Sequence, residues 1–150
     1  ALTRMREKEG QFLMEDIRDR SVVILKMVDA IGERSPLVVE EYRRKLEQRL
    51  KDLLSSSDLE ETRFNTEVAY FADRSSITEE IIRLRSHIGQ LQQILKTGGP
   101  IGRKLDFLMQ EMKREANTIG SKASDLFITN QVVSLKSEME KIREQVQNLE

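Results

Sequence analysis

Ser76, Glu80, Arg83 and His87 follow one another at spacings of 4, 3 and 4. On a helix they share one face, placing a hydroxyl, a carboxylate, a guanidinium and an imidazole in line. His87 is the only histidine in the chain. That set suits acid–base work, phosphate binding or metal ligation, and equally a hydrogen-bonded polar layer inside a bundle. A second charged cluster lies in the stretch GRKLDFLMQEMKREANTIGSK, residues 102–122. Wound as a helix, it puts Arg103, Asp106, Gln110, Lys113, Arg114 and Asn117 on one polar arc and Lys104, Glu111, Glu115, Thr118 and Lys122 on another, with Phe107 between them. The carboxylates Glu80, Asp106, Glu111 and Glu115 are hard oxygen donors of the kind Mg²⁺ or Mn²⁺ takes, while Arg83, Arg103, Lys104, Arg114 and Lys122 can hold phosphates. Such a lining fits phosphodiester chemistry, and the same residues also fit an interhelical salt-bridge network. Phe107, nearly opposite the apolar stripe, needs a second packing surface or a ligand to stack on, and a helix or subunit contact is the preferred expectation.

These clusters need helices to hold them, and the composition favours helices. Glycine numbers 7 and proline 2, 34% of residues are charged, and strand-like alternation is absent. The spacing predicts six helices. The first covers residues 3–31, with Phe12, Leu13, Ile17, Ile24, Met27 and Ile31 inward, and stops near Gly32. Pro36 opens the second, whose stripe is Val39, Tyr42, Leu46, Leu50 and Leu53, and the serines at 55–57 end it. Ser57 or Asp58 caps the third, which carries Phe64, Val68 and Phe71 on one side. In the fourth, Ser76 and Glu79 form a capping box ahead of the stripe Ile77, Ile81, Leu84, Ile88, Leu91 and Leu95, closed by Gly98, Gly99 and Pro100. Leu105, Leu108, Met109, Met112, Ala116 and Ile119 make the buried arc of the fifth. The last carries a heptad seam from Ile128 through Val132, Leu135, Met139, Ile142 and Val146 to Leu149. The expected fold is therefore all-α, long antiparallel helical hairpins forming a single bundle domain over residues 1–150, with a coiled-coil-like C-terminal helix able to engage another chain.

Composition also excludes several functions. With 25 basic and 26 acidic side chains the net charge is −1, so nucleic-acid binding must use a local patch rather than bulk attraction. Cysteine is absent, which rules out disulfides and thiolate metal sites within these residues and suits a cytoplasmic protein. No apolar run approaches a membrane span. Metalloprotease, P-loop, dinucleotide-fold and EF-hand signatures are missing. The chain begins at Ala1 inside a helical pattern, as a piece of a longer protein would.

Four long stretches, MREKEG at residues 5–10, EEIIRLRSH at 79–87, GRKLDFLMQEMKREANTIGSK at 102–122 and LKSEMEKIREQVQNLE at the C-terminus, closely resemble the C-terminal half of the bacterial YicC/YloC family, also described as stress-induced proteins. The likeness covers essentially the whole chain. It implies a cytoplasmic, metal-dependent endoribonuclease using Mg²⁺ or Mn²⁺, acting on RNA rather than DNA, away from membranes, and assembled as a homo-oligomer, a hexamer in the full-length protein. It also implies an N-terminal domain of comparable size outside this chain. The resemblance marks Glu80, Arg83 and His87 on one helix and Arg103, Lys104, Asp106, Gln110, Glu111, Arg114, Glu115, Asn117 and Lys122 on the other. Side-chain chemistry then divides them. Glu80, His87, Asp106, Glu111 and Glu115 form the candidate catalytic group, with Glu80, Asp106 and Glu111 as metal ligands or bases and His87 as proton donor to the leaving oxygen. Arg83, Arg103, Lys104, Gln110, Arg114, Asn117 and Lys122 are the candidate RNA contacts. One departure stands out: the family usually carries an acidic residue where this chain has Ser76, which keeps the capping role but is a far poorer cation ligand, a loss that matters if the family's carboxylate holds a metal and not if it only caps the helix. The competing expectation is a non-catalytic helical module for oligomerisation and RNA binding; a coiled-coil adaptor leaves the charged 102–122 helix without a purpose.

Overall fold

The computed structural model describes residues 2–53 and 60–149, with side chains from residue 4 onward. Among these, five helices and no strand occur: α1 (Leu2–Leu53), α2 (Glu61–Arg74), α3 (Thr78–Thr97), α4 (Gly102–Lys122) and α5 (Leu126–Leu149). Helix α1 packs on α3 and α5, and α4 packs on the same two. The four helices thus form a closed square in the order α1, α3, α4, α5. Every neighbouring pair is antiparallel, as cross-links such as Ser21 to Gln92, Arg20 to Glu138 and Lys122 to Glu80 show. Helix α2 lies outside the square and packs on the distal half of α1, where Tyr42 and Phe71 stack with ring centroids 3.8 Å apart.

The expected stripes of α3, α4 and α5 are the core. Ile81, Leu84, Ile88, Leu91 and Leu95 meet Leu105, Met112, Ala116 and Ile119 across the α3–α4 pair. The α5 seam from Ile128 to Val146 is buried within this chain, against α1 and α4, and is not left over for another copy. Helix α3 ends where Gly98 and Gly99 take φ of 74° and 85°, a left-handed conformation that glycine adopts without strain.

Three expectations about elements are corrected. First, the chain does not break at Gly32: α1 is one continuous helix of 52 residues with Pro36 inside it, so the predicted first two helices are one. The reason is packing. Ile17, Ser21, Ile24, Val28, Ile31 and Val38 are all buried, and this seam keeps its phase through the Gly–Pro stretch. An interior proline costs about 3 kcal/mol, whereas Ile31 and Val38 on either side of it each return about 1.5–3 kcal/mol by burial. Gly32 is used for closeness: a Cβ there would sit 3.3 Å from Arg85 Nη2 and 3.8 Å from Ile81 Cδ1 on α3. Second, Phe12 is 68% exposed instead of inward, because the buried stripe of α1 runs through Ile17 and Ile24 on another face. Third, no capping box forms at the start of α3. Ile77 occupies the N-cap position without a side-chain cap, Glu79 turns to Arg83, and the Ser76 carbonyl accepts a hydrogen bond from Lys122. The predicted turn and cap at 55–58 lie outside the described residues.

Candidate active site

Antiparallel packing of α3 on α4 sets the two charged clusters face to face, one helical turn after another. At the first turn Lys122 Nζ donates to Glu80 Oε1 at 2.7 Å and to the Ser76 carbonyl at 3.2 Å. At the next, Arg83 donates to Glu79 at 2.7 Å and reaches Glu115 at 3.5 Å. Beyond it His87, Glu111 and Glu115 bring one ligand-capable atom each to within 4.8 Å of one another. Farther along, Gln90 and Ile94 face Arg103, Lys104 and Phe107 across a small cleft.

Burial makes this arrangement unlike a solvated charged surface. Glu80 is 5% exposed and Glu115 4%, beside a core of isoleucine, leucine and methionine. Carboxylates at that depth need partners, since desolvation of an unpaired charge is costly. Glu80 has Lys122. Burial pushes the Glu80 carboxyl up, but the hydrogen bond from Lys122, a backbone hydrogen bond and the nearby charges of Lys122 and Arg83 outweigh it and hold the group below the usual glutamate range. Such a carboxylate is a poor proton acceptor at neutral pH, and its role is to fix Lys122. Two buried polar atoms have no partner among the described residues: Glu80 Oε2 and His87 Nδ1. The second lies in the histidine–glutamate group.

The sequence-predicted residues separate into two regions. Glu80, Arg83, His87, Glu111, Glu115 and Lys122 come together between α3 and α4. Asp106 does not join them. Five residues before Glu111, it lies about 140° around the helix, and with Gln110 it lines a groove of about 440 Å³ between α4 and α5, beside Lys113, Lys136 and Arg143. The expected ligand set of Glu80, Asp106 and Glu111 is therefore not assembled, and the structure groups His87 with Glu111 and Glu115 in its place. Arg103 and Lys104 sit at the far end of the α3–α4 face, and Arg114 and Asn117 are exposed on α4; none of these four side chains makes a salt bridge among the described residues. Ser76 stands outside the histidine–glutamate group. Sequence reading missed Gln90 and Ile94, although they continue the spacing of Ser76, Glu80, Arg83 and His87 by 3 and 4.

A histidine with two glutamates is a donor set for a divalent cation, and the unpartnered imidazole nitrogen fits it. Carboxylate oxygens are donors of the kind that suits Mg²⁺ or Mn²⁺. Residues 31–150 match the family model described as "Endoribonuclease YicC-like, C-terminal". The chain is 54% identical over 150 residues to the probable endoribonuclease YicC of Clostridioides difficile, an alignment covering 99% of this chain and 51% of that protein. To the probable endoribonuclease YicC of Haemophilus influenzae it is 40% identical over 146 residues, covering 97% of this chain and 50% of the relative. The chain thus spans about half the length of the curated relatives it matches.

Proposed function

The chain belongs to the YicC-like endoribonuclease family through its C-terminal domain, and from that premise we propose that it is the C-terminal part of a metal-dependent, cytoplasmic endoribonuclease working as a homo-oligomer. The hydrolytic centre is His87, Glu111 and Glu115 in the α3–α4 face. The observation that carries this reading is the grouping of the His87 imidazole, which also has a buried, unpartnered Nδ1, with two carboxylates, one of them almost fully buried.

His87, Glu111 and Glu115 would hold the cation. When bound, it supplies a Lewis acid for the scissile phosphate and lowers the pKa of water. Glu111 is half-buried and makes no ion pair among the described residues, so it has an oxygen free to accept the proton of the attacking water. Arg83 is held by Glu79 on the outside and Glu115 on the inside, which aims its guanidinium along the face towards a phosphate oxygen. Lys122, braced by Glu80 and the Ser76 carbonyl, adds a fixed positive charge one turn farther on. Arg103 and Lys104 extend the track for the RNA backbone in the other direction.

The test is cleavage of a panel of single-stranded and structured RNAs by this chain and by the full-length protein, with and without Mn²⁺ or Mg²⁺. Cleavage by both, dependent on metal and abolished by Glu111→Ala, supports the assignment. Cleavage by the full-length protein that survives Glu111→Ala overturns it, and leaves this chain as scaffold and RNA grip for chemistry performed elsewhere. In that second case RNA binding should still weaken steeply with salt.

A further inference from the structure

Phe107 is 62% exposed, and no helix among the described residues covers it, so packing against them is not its role. It is also not an isolated surface apolar residue. It forms one wall of a cleft of about 370 Å³ with Ile94 and Leu108 as apolar lining, Gln90 opposite, and Arg103 and Lys104 at the rim. No carboxylate lines this cleft, and neither cation is neutralised by a salt bridge among the described residues. Phe107 lies one helical turn before Glu111 on α4, and Gln90 one turn after His87 on α3. The cleft is therefore the next station along the α3–α4 face from the histidine–glutamate group.

We propose that this cleft is a stacking subsite for one unpaired RNA base flanking the scissile phosphate, an inference that rests on the hydrolytic reading of His87, Glu111 and Glu115. A ring of this kind offers a rigid apolar face to any base, and stacking tolerates all four because each has a π-face. Arg103 and Lys104 take the phosphates on either side of the stacked nucleotide, and the Gln90 amide can pair with a base edge through its donor or its acceptor. Charge complementarity singles out the occupant: an apolar protein segment would leave two cations facing it unpaired, whereas a nucleotide satisfies ring and cations together. Bases inside a duplex are already stacked on their neighbours and cannot enter. The subsite thus selects unpaired positions in RNA as the place of cutting.

The test uses the intact protein with Phe107→Ala and Phe107→Trp. Since the ring is exposed, both variants should keep the wild-type melting temperature. Phe107→Ala should raise KM for an unstructured RNA by about 5- to 150-fold, with kcat little changed and with binding of a perfect duplex unaffected. It should weaken metal-free binding of the same RNA, followed by fluorescence anisotropy, by a similar factor. Phe107→Trp should retain binding, and because this chain contains no tryptophan, the emission it adds over wild type should be quenched by RNA. If wild type cuts but Phe107→Ala keeps its KM on unstructured RNA, or loses affinity for a perfect duplex by the same factor, the subsite is refuted while the hydrolytic centre stands. A fall in sedimenting mass on Phe107→Ala would make the ring a contact between copies and would also refute it. Wild type that binds RNA through Phe107 but cuts nothing would refute the hydrolytic reading, and with it the placement of the base beside a scissile bond.

Discussion

Replacing Lys122 with methionine removes the cation that Glu80 bonds among the described residues and leaves a carboxylate 5% exposed, with one oxygen already unpartnered, beside the core. A charge-assisted hydrogen bond contributes about 1.5–3 kcal/mol, and breaking a fully buried pair costs about 3–5 kcal/mol. Lys122 is 36% exposed, so water can enter where its ammonium was, and the estimate falls to the low end, about 2 kcal/mol at pH 7. For a domain of this size that is a fall in Tm of about 4–8 °C. The pH dependence is the sharper signature. In the wild type the Glu80 carboxyl is held below its ordinary value, so its contribution is present above the unfolded-state pKa and disappears as pH falls through the lowered value. In Lys122→Met burial prevails and the carboxyl rises above its unfolded value, so a penalty develops as pH climbs past about 4.3. Urea unfolding at pH 7 and pH 3 should therefore show at least about 1 kcal/mol of the loss vanishing in acid. Adding Glu80→Gln should restore stability to Lys122→Met at pH 7. An equal loss at both pH values, or no recovery from Glu80→Gln, would mean that the pair does not act through charge.

His87→Ala and Glu111→Ala should each weaken Mn²⁺ binding, read by calorimetry, and lower Mn²⁺-dependent cleavage by at least about 10²-fold, with helical content intact. Ser76→Asp should leave Mn²⁺ affinity unchanged, because position 76, whose carbonyl accepts from Lys122, lies outside the histidine–glutamate group; tighter binding would reinstate position 76 as a ligand. Arg34 holds Glu41 and Asp125 at 2.8 and 2.9 Å and lowers both of their pKa values, so Arg34→Ala should lower Tm near neutrality and flatten the decline in stability below about pH 4.5. Pro36→Ala should stabilise the protein to urea by about 1–3 kcal/mol, since it returns a hydrogen bond to the interior of α1 and the ring is exposed.

Local periodicity made α3, α4 and α5 legible, stripe by stripe, because each buries one uninterrupted apolar arc. It misled at Gly32 and Pro36, where strong local punctuation is overruled by partners distant in sequence. The seam through Ile17, Ile24, Val28, Ile31 and Val38 holds its phase there, but serines at 21 and 35 occupy two of its slots and hide it. Ser21 tolerates full burial because its hydroxyl donates to the Arg18 carbonyl and accepts from Gln92. For the site, spacing placed Glu80, Arg83 and His87 on one face, and that face is real. Which carboxylates of α4 would meet it depended on the rotation of α4 about its own axis, which only the packing of Leu105, Met112 and Ile119 sets. That rotation turns Glu111 and Glu115 towards His87 and Asp106 away. The Arg34–Asp125 pair, 91 residues apart, left no local trace at all.

Because α1 is unbroken, it is a rod: 52 residues at a rise of 1.5 Å make it about 78 Å long. Up to about Pro36 it is gripped by α3 and α5, and beyond that point, among the described residues, it is packed chiefly by α2. The rod crosses from one regime to the other near Pro36, where the backbone ladder lacks a rung. A tilt there of about 5° swings the Leu53 end through about 2 Å, as a lever does about its fulcrum. Arg34 and Asp125 stand at that fulcrum, and Glu41 two turns beyond Arg34, so a single guanidinium couples the angle of the outer arm to the start of α5.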